Sequence, residues 1–280
     1  MKANVAPPSA SSTVVSRDGT SIAYHTLGQG PAVIVVPGVL STAAAYTRFA
    51  GALSPHFTVH ILERRGRGLS GPQGEHYSVL KEREDVLAVQ QATGAALLVG
   101  HSFGGLIALE VARTTRAFSR IAAYEPGVSI GGSIQMNWTS AYQQHLAQGR
   151  PLDAFVEFTH GAGPKRARRT PRWLMKLLLP RVVKPDELRD LLRLLPENLR
   201  EHQALAALDS TVQQYQDVAA EVLLLQGGRS ELEWVDLAMN RLPEVLPHAE
   251  THVFPTLDHF GLDKSAPEEV ARTVTAFFLR

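Results

Sequence analysis

Leu97-Leu98-Val99-Gly100-His101-Ser102-Phe103-Gly104-Gly105-Leu106-Ile107-Ala108-Leu109-Glu110-Val111-Ala112 sets the reading of the whole chain. A short apolar run stops at glycine, a serine follows two residues on, and a helix-compatible apolar pattern begins behind it. The spacing predicts a strand, a tight turn and a helix. In a G-x-S-x-G turn the flanking glycines are needed because the serine sits on a sharp, strained bend where a nearby Cβ would clash. The bend lifts the hydroxyl clear of the sheet, and the following helix aims its N–H groups and positive dipole end at any negative charge formed there. Ser102 is therefore the candidate nucleophile. The same residues could also form a glycine-rich turn in which Ser102 only caps the helix.

Working outward, the segments on both sides alternate between strand and helix patterns. Upstream, Thr13 to Ser16 and Ser21 to Leu27 read as strands joined by an Asp18-Gly19 turn. Ala32 to Val36 is continuously apolar and β-branched, as a strand buried on both faces of a parallel sheet must be. Helical periodicity over Thr42 to Leu53 leads to a strand at Phe57 to Leu62, a polar, glycine-broken loop from Glu63 to Ser70, and a helix over Val79 to Thr93. Downstream, Arg120 to Tyr124 is a short strand ending in Glu125-Pro126. From Gly127 to Asp217 the alternation stops and proline-broken helical patterns take over. It resumes with a strand at Val222 to Leu225, a helix near Trp234 to Leu246, a strand near Thr251 to Phe254, and a last helix over Pro267 to Phe278. This order predicts a doubly wound α/β sheet whose site lies beyond the carboxyl ends of the strands.

The composition, with 44% hydrophobic and 20% charged residues over 280 positions, suits one soluble α/β domain carrying an insertion. A net charge of +1 argues against a nucleic-acid partner, and the absence of cysteine excludes disulfides and thiolate metal sites. Residues 1–12 lack the apolar core of a signal peptide and read as a flexible tail. No apolar run approaches the ~20 residues that span a bilayer. Together these point to a cytoplasmic protein and give no indication of oligomeric state.

With these residues in place the chain resembles the α/β-hydrolase superfamily over residues 13–126 and 218–280. The resemblance implies a mostly parallel eight-stranded sheet flanked by helices, with residues 127–217 inserted as a helical cap. It also implies the chain order nucleophile, acid, histidine. His259, just after a late strand in Leu257-Asp258-His259-Phe260-Gly261, takes the position of the general base. His101 reads as the usual filler of the turn, without a role. The oxyanion hole is expected from the backbone N–H groups of Val39 and Phe103, with Pro37-Gly38-Val39 standing where relatives often carry His-Gly-x.

The acid departs from the family pattern. The loop after Val222 to Leu225 commonly reads Gly-x-x-Asp, and here it reads Gly227-Gly228-Arg229-Ser230, with Ser230 at the acid position. Glu125, at the end of the neighbouring strand, is the preferred replacement, since some superfamily members carry their acid there. Glu231 is the second choice and Asp258 a weak third. The implied chemistry is hydrolysis of a carboxylic ester or lactone of a small, largely apolar substrate through an acyl-enzyme on Ser102, without metal or cofactor. Carbon–carbon bond hydrolysis and perhydrolysis use the same constellation. Because Ser230 replaces the usual acid, a hydrolase-fold protein that only binds a small apolar ligand is the alternative. Finally, Lys165 to Lys184 holds eight basic residues and no acidic one, interleaved with Trp173 and leucines. This run reads as a solvated helix face, or alternatively as a surface for an anionic membrane or substrate.

Overall fold

Strands whose side chains alternate between two apolar layers build the centre of the molecule. The computed structural model describes residues 10–280. Its strands are β1 (Ala10–Val15), β2 (Ser21–Leu27), β3 (Ala32–Val36), β4 (Thr58–Leu62), β5 (Leu97–His101), β6 (Arg120–Tyr124), β7 (Glu221–Gly227) and β8 (Ala249–Phe254). They form one sheet in the order β1-β2-β4-β3-β5-β6-β7-β8. The β1–β2 and β2–β4 pairs are antiparallel and all others parallel.

The helices flanking the sheet are α1 (Thr47–Leu53), α2 (Val79–Thr93), α3 (Phe103–Ala112), α10 (Glu233–Val245) and α11 (Pro267–Phe278). On one face Ile34, Val36 and Leu98 pack against α2, α3 and α10, and on the other Val33, Val35 and Val99 pack against α1 and α11. Each fully buried valine or isoleucine contributes about 1.5–3 kcal/mol, so a strand buried on both faces needs apolar residues at every position.

Between β6 and β7 the chain runs through α4 (Thr139–Ala147), α5 (Pro151–Ala162), α6 (Lys165–Arg169), α7 (Arg172–Val182), α8 (Pro185–Arg193) and α9 (Leu195–Ala206). This helical insertion has its own small core of Trp138, Tyr142, Ala154, Leu195 and Leu199. No helix among the described residues is long and apolar enough to cross a membrane.

The expected flexible tail over residues 1–12 is contradicted at residues 10–12, which belong to β1. Ser11 and Ser12 pair with His25 and Tyr24 inside β1, while residues 1–9 lie outside the described residues. An edge strand with one solvated face needs no apolar run, which is why its polar start reads as a tail.

Candidate active site

The turn after β5 places Ser102 where the sequence predicts, at φ 55° and ψ −119°. This left-handed backbone is costly for a non-glycine residue. Hydrogen bonds hold it from β6: Ser102 N–H donates to Tyr124 O at 2.9 Å, and Ser102 O accepts from Gly127 N–H at 2.9 Å. The two glycines of the motif are steric necessities. A Cβ on Gly100 would lie 2.3 Å from Gly104 O, and one on Gly104 would lie 2.1 Å from Val36 O.

Glu125 and His259 meet although 134 positions separate them. The His259 Nδ1–H donates to Glu125 Oε2 at 2.6 Å. Glu125 is fully buried at φ 42°, and its Oε1 accepts from the Gly227 N–H at 2.7 Å and from the Ser230 hydroxyl. Ser230 thus occupies the usual acid position and donates to the carboxylate that reaches in from β6. The other two carboxylates point elsewhere. Glu231 accepts from the Arg166 N–H at 3.2 Å, and Asp258 Oδ1 accepts from the Phe260 N–H at 3.0 Å and the Ser265 hydroxyl at 3.2 Å. The His259 ring is set against Trp234, its edge-to-face neighbour at 5.6 Å.

His101 differs from its reading as filler. Its Nε2–H donates to His259 O at 2.8 Å, and its Nδ1 accepts from the Tyr46 hydroxyl at 2.7 Å. The Tyr46 oxygen in turn accepts from the Gly38 N–H at 2.9 Å. Burial, reinforced by the charge of His259 and opposed by the His259 carbonyl, pushes His101 down to about 3. It therefore stays neutral, with a fixed tautomer that ties the loop after β3 to the loop carrying His259. Its place inside the turn was the only sequence signal, and Tyr46 had none.

Val39, Ser102, Phe103 and His259 line one cavity of about 640 Å³, together with Phe155, Leu179 and other apolar residues of the insertion. Phe103 is the first residue of α3, so its N–H has no acceptor within the helix. Asp263 also lines the cavity, and burial, partly offset by Lys264 and His259, pushes its carboxyl up to about 6. Among the described residues no group of three or more His, Asp or Glu is placed to hold a metal ion. In the basic run, Lys165, Arg172 and Lys176 pair with Glu233, Glu157 and Asp153 at 3.3, 2.7 and 2.9 Å.

A family model described as the alpha/beta hydrolase family matches residues 33–273. A pimeloyl-[acyl-carrier protein] methyl ester esterase of Vibrio atlanticus is 28% identical over 250 residues, covering 84% of this chain and 90% of that protein. Among solved structures, an alpha/beta hydrolase from Sphaerobacter thermophilus superposes with a TM-score of 0.81 at 28% identity, over 95% of this chain and 100% of that one. A hydrolase from Pseudomonas aeruginosa shares the fold at a TM-score of 0.74 and 18% identity, over 97% and 99% of the two chains. With the mostly parallel sheet, the strained serine turn after β5 and the family match over most of its length, the chain belongs to the alpha/beta hydrolase family.

Proposed function

We propose that this α/β-type hydrolase of esters works as a serine enzyme, cleaving a carboxylic ester or lactone through an acyl-enzyme on Ser102. The observation that carries the reading is the 2.6 Å bond from His259 Nδ1 to the buried Glu125, with His259 and Ser102 lining the same cavity. His259 removes the Ser102 proton as the hydroxyl attacks the acyl carbonyl, and the Val39 and Phe103 N–H groups stabilise the tetrahedral oxyanion. Glu125 fixes the imidazole tautomer and stabilises its positive charge. Protonated His259 then donates to the departing alcohol, and water, deprotonated by the same imidazole, releases the acid.

The helical insertion over residues 127–217 acts as the cap that shapes the substrate pocket. Its apolar wall favours a small, largely apolar substrate, and the name of the Vibrio atlanticus relative supports a carboxylic ester over other acyl compounds. The serine at the usual acid position does not favour a binding protein, since Glu125 supplies the missing charge. Incubation with a fluorophosphonate, read by intact mass and peptide mapping, tests the reading. A single adduct on Ser102, absent in Ser102→Ala, is expected, followed by turnover of short 4-nitrophenyl esters. A folded protein that takes up no adduct would refute it.

A further inference from the structure

Two buried arginines from the loop after β4 grip the segment that carries the Val39 N–H. Arg64 Nη1–H donates to Gly38 O at 3.1 Å, the oxygen of the same peptide unit whose nitrogen belongs to Val39. Arg67 Nε–H donates to Ser41 O at 2.8 Å, and between these two anchors Leu40 is held at φ 50°. The Arg64 guanidinium carbon also lies 4.6 Å from the centroid of the Phe103 ring. One side chain therefore touches the residue or the peptide unit of both amides assigned to the oxyanion.

The charge on these arginines is balanced from two directions. Glu82 of α2 accepts from Arg64 Nε and Nη2 at 3.2 and 2.7 Å. Glu201 of α9, in the helical insertion, accepts from Arg64 Nη2 at 2.9 Å, and the same oxygen lies 2.6 Å from Arg67 Nη2. Arg64, Glu82 and Glu201 are fully buried.

We propose that Arg64 is a positioning residue for the oxyanion hole, held against Gly38 by a counter-charge, Glu201, that the helical insertion supplies. A cationic donor on a peptide oxygen draws electron density from the nitrogen, so the Val39 N–H becomes a stronger donor, and it fixes the plane in which that N–H points. Oxyanion donors act through such fixed orientation, because they need no reorganisation as charge develops. The hole is then complete only while α9 is seated, which makes the insertion part of the catalytic apparatus as well as a wall. The inference rests on the assignment of Val39 and Phe103 as oxyanion donors.

The test compares wild type with Arg64→Lys, which keeps the charge but loses the planar fork, and with the near-isosteric Glu201→Gln. Fold is checked by circular dichroism, and rates are expressed per Ser102 titrated with fluorophosphonate. In both variants kcat for a 4-nitrophenyl ester and the rate of Ser102 phosphonylation should fall by about 10- to 100-fold, with KM within about twofold. A trifluoromethyl ketone, which forms an oxyanion on Ser102, should bind more weakly in the same proportion, while the matching alcohol binds as before. Unchanged rates in the folded variants would overturn the proposal, and so would equal weakening of ketone and alcohol, which signals a damaged cavity instead. A wild type that is not phosphonylated at Ser102 would remove the active-site assignment and this inference with it.

Discussion

Replacing Glu125 by glycine while placing an aspartate at position 230 moves the proposed triad acid from the end of β6 to the end of β7. Glu125→Gly removes the acceptor of His259 Nδ1, and glycine suits the φ of 42° at that position. Loss of a triad carboxylate costs about 10⁴ in kcat, which corresponds to about 5.5 kcal/mol of transition-state stabilisation. The Ser230 oxygen already touches the Glu125 carboxylate, so an aspartate there extends into the volume that Glu125 vacates and meets the free Gly227 N–H. Its approach is less favourable, because the Ser230 hydroxyl also lies 3.1 Å from Gly227 O, a contact that turns repulsive for a carboxylate. Recovery of about 10² of the lost 10⁴ is therefore expected in the double variant. Ser230→Asp alone sets two buried carboxylates side by side; one of them retains a proton, and the fold loses stability. The assay is kcat per titrated Ser102 on a 4-nitrophenyl ester, with thermal unfolding as the check on folding. A folded double variant no more active than Glu125→Gly would refute the reasoning that both strand ends reach the same imidazole.

Ser102→Ala should lower kcat by roughly 10⁵ to 10⁶ without loss of thermal stability, measured on the same ester. Gly104→Ala should fail to fold or lose about 3 kcal/mol or more in urea titration, since its Cβ would meet the Val36 carbonyl oxygen at 2.1 Å. Asp263→Asn should stabilise the protein at neutral pH. Burial raises this carboxyl from 3.8 to about 6, so the native state loses up to about 3 kcal/mol as the pH climbs from about 4 through 6. The gain of the asparagine variant, followed by denaturant titration, should disappear below about pH 4, where the carboxyl is protonated folded or unfolded. Charge reversal across Lys165 to Lys184 should leave co-sedimentation with anionic liposomes unchanged, because several of these cations already pair with carboxylates of the same protein.

The elements that position the site were legible where the physics is local. Val79 to Thr93 and Pro267 to Phe278 are helices with the limits their patterns predict, and Arg120 to Tyr124 is a strand. The serine turn was legible because its two glycines are required by backbone approaches within the motif and to the next strand. Polar contacts between distant segments were not. Glu63 to Ser70 reads as a polar, glycine-broken loop, and nothing in that pattern announces that Arg64, Arg65 and Arg67 are among the most buried side chains. What makes that burial tolerable is Glu82, Asp85 and Glu201, one of them 137 positions away, and no local pattern announces such a partner. The same holds for Tyr46 and His101, 55 positions apart. The Glu125–His259 contact lay within reach of sequence reasoning only because a serine at position 230 directed attention to other carboxylates.

Among the described non-glycine residues, five have left-handed backbones; three of them, Leu40, Ser102 and Glu231, line the cavity, and a fourth, Glu125, is bonded to His259, which also lines it. Each such residue withholds about 1–3 kcal/mol from the folded state. Glycine at any of the four would recover part of that energy and, at Ser102 and Glu125, would also remove the proposed nucleophile or its proposed orienting acid. Selection for heat resistance alone would therefore wear this chain down from its active site outward. A laboratory evolution that screens only for survival of heating should enrich substitutions at these positions and yield sturdy, inert proteins. Preserving turnover requires that added stability come from the two apolar layers instead.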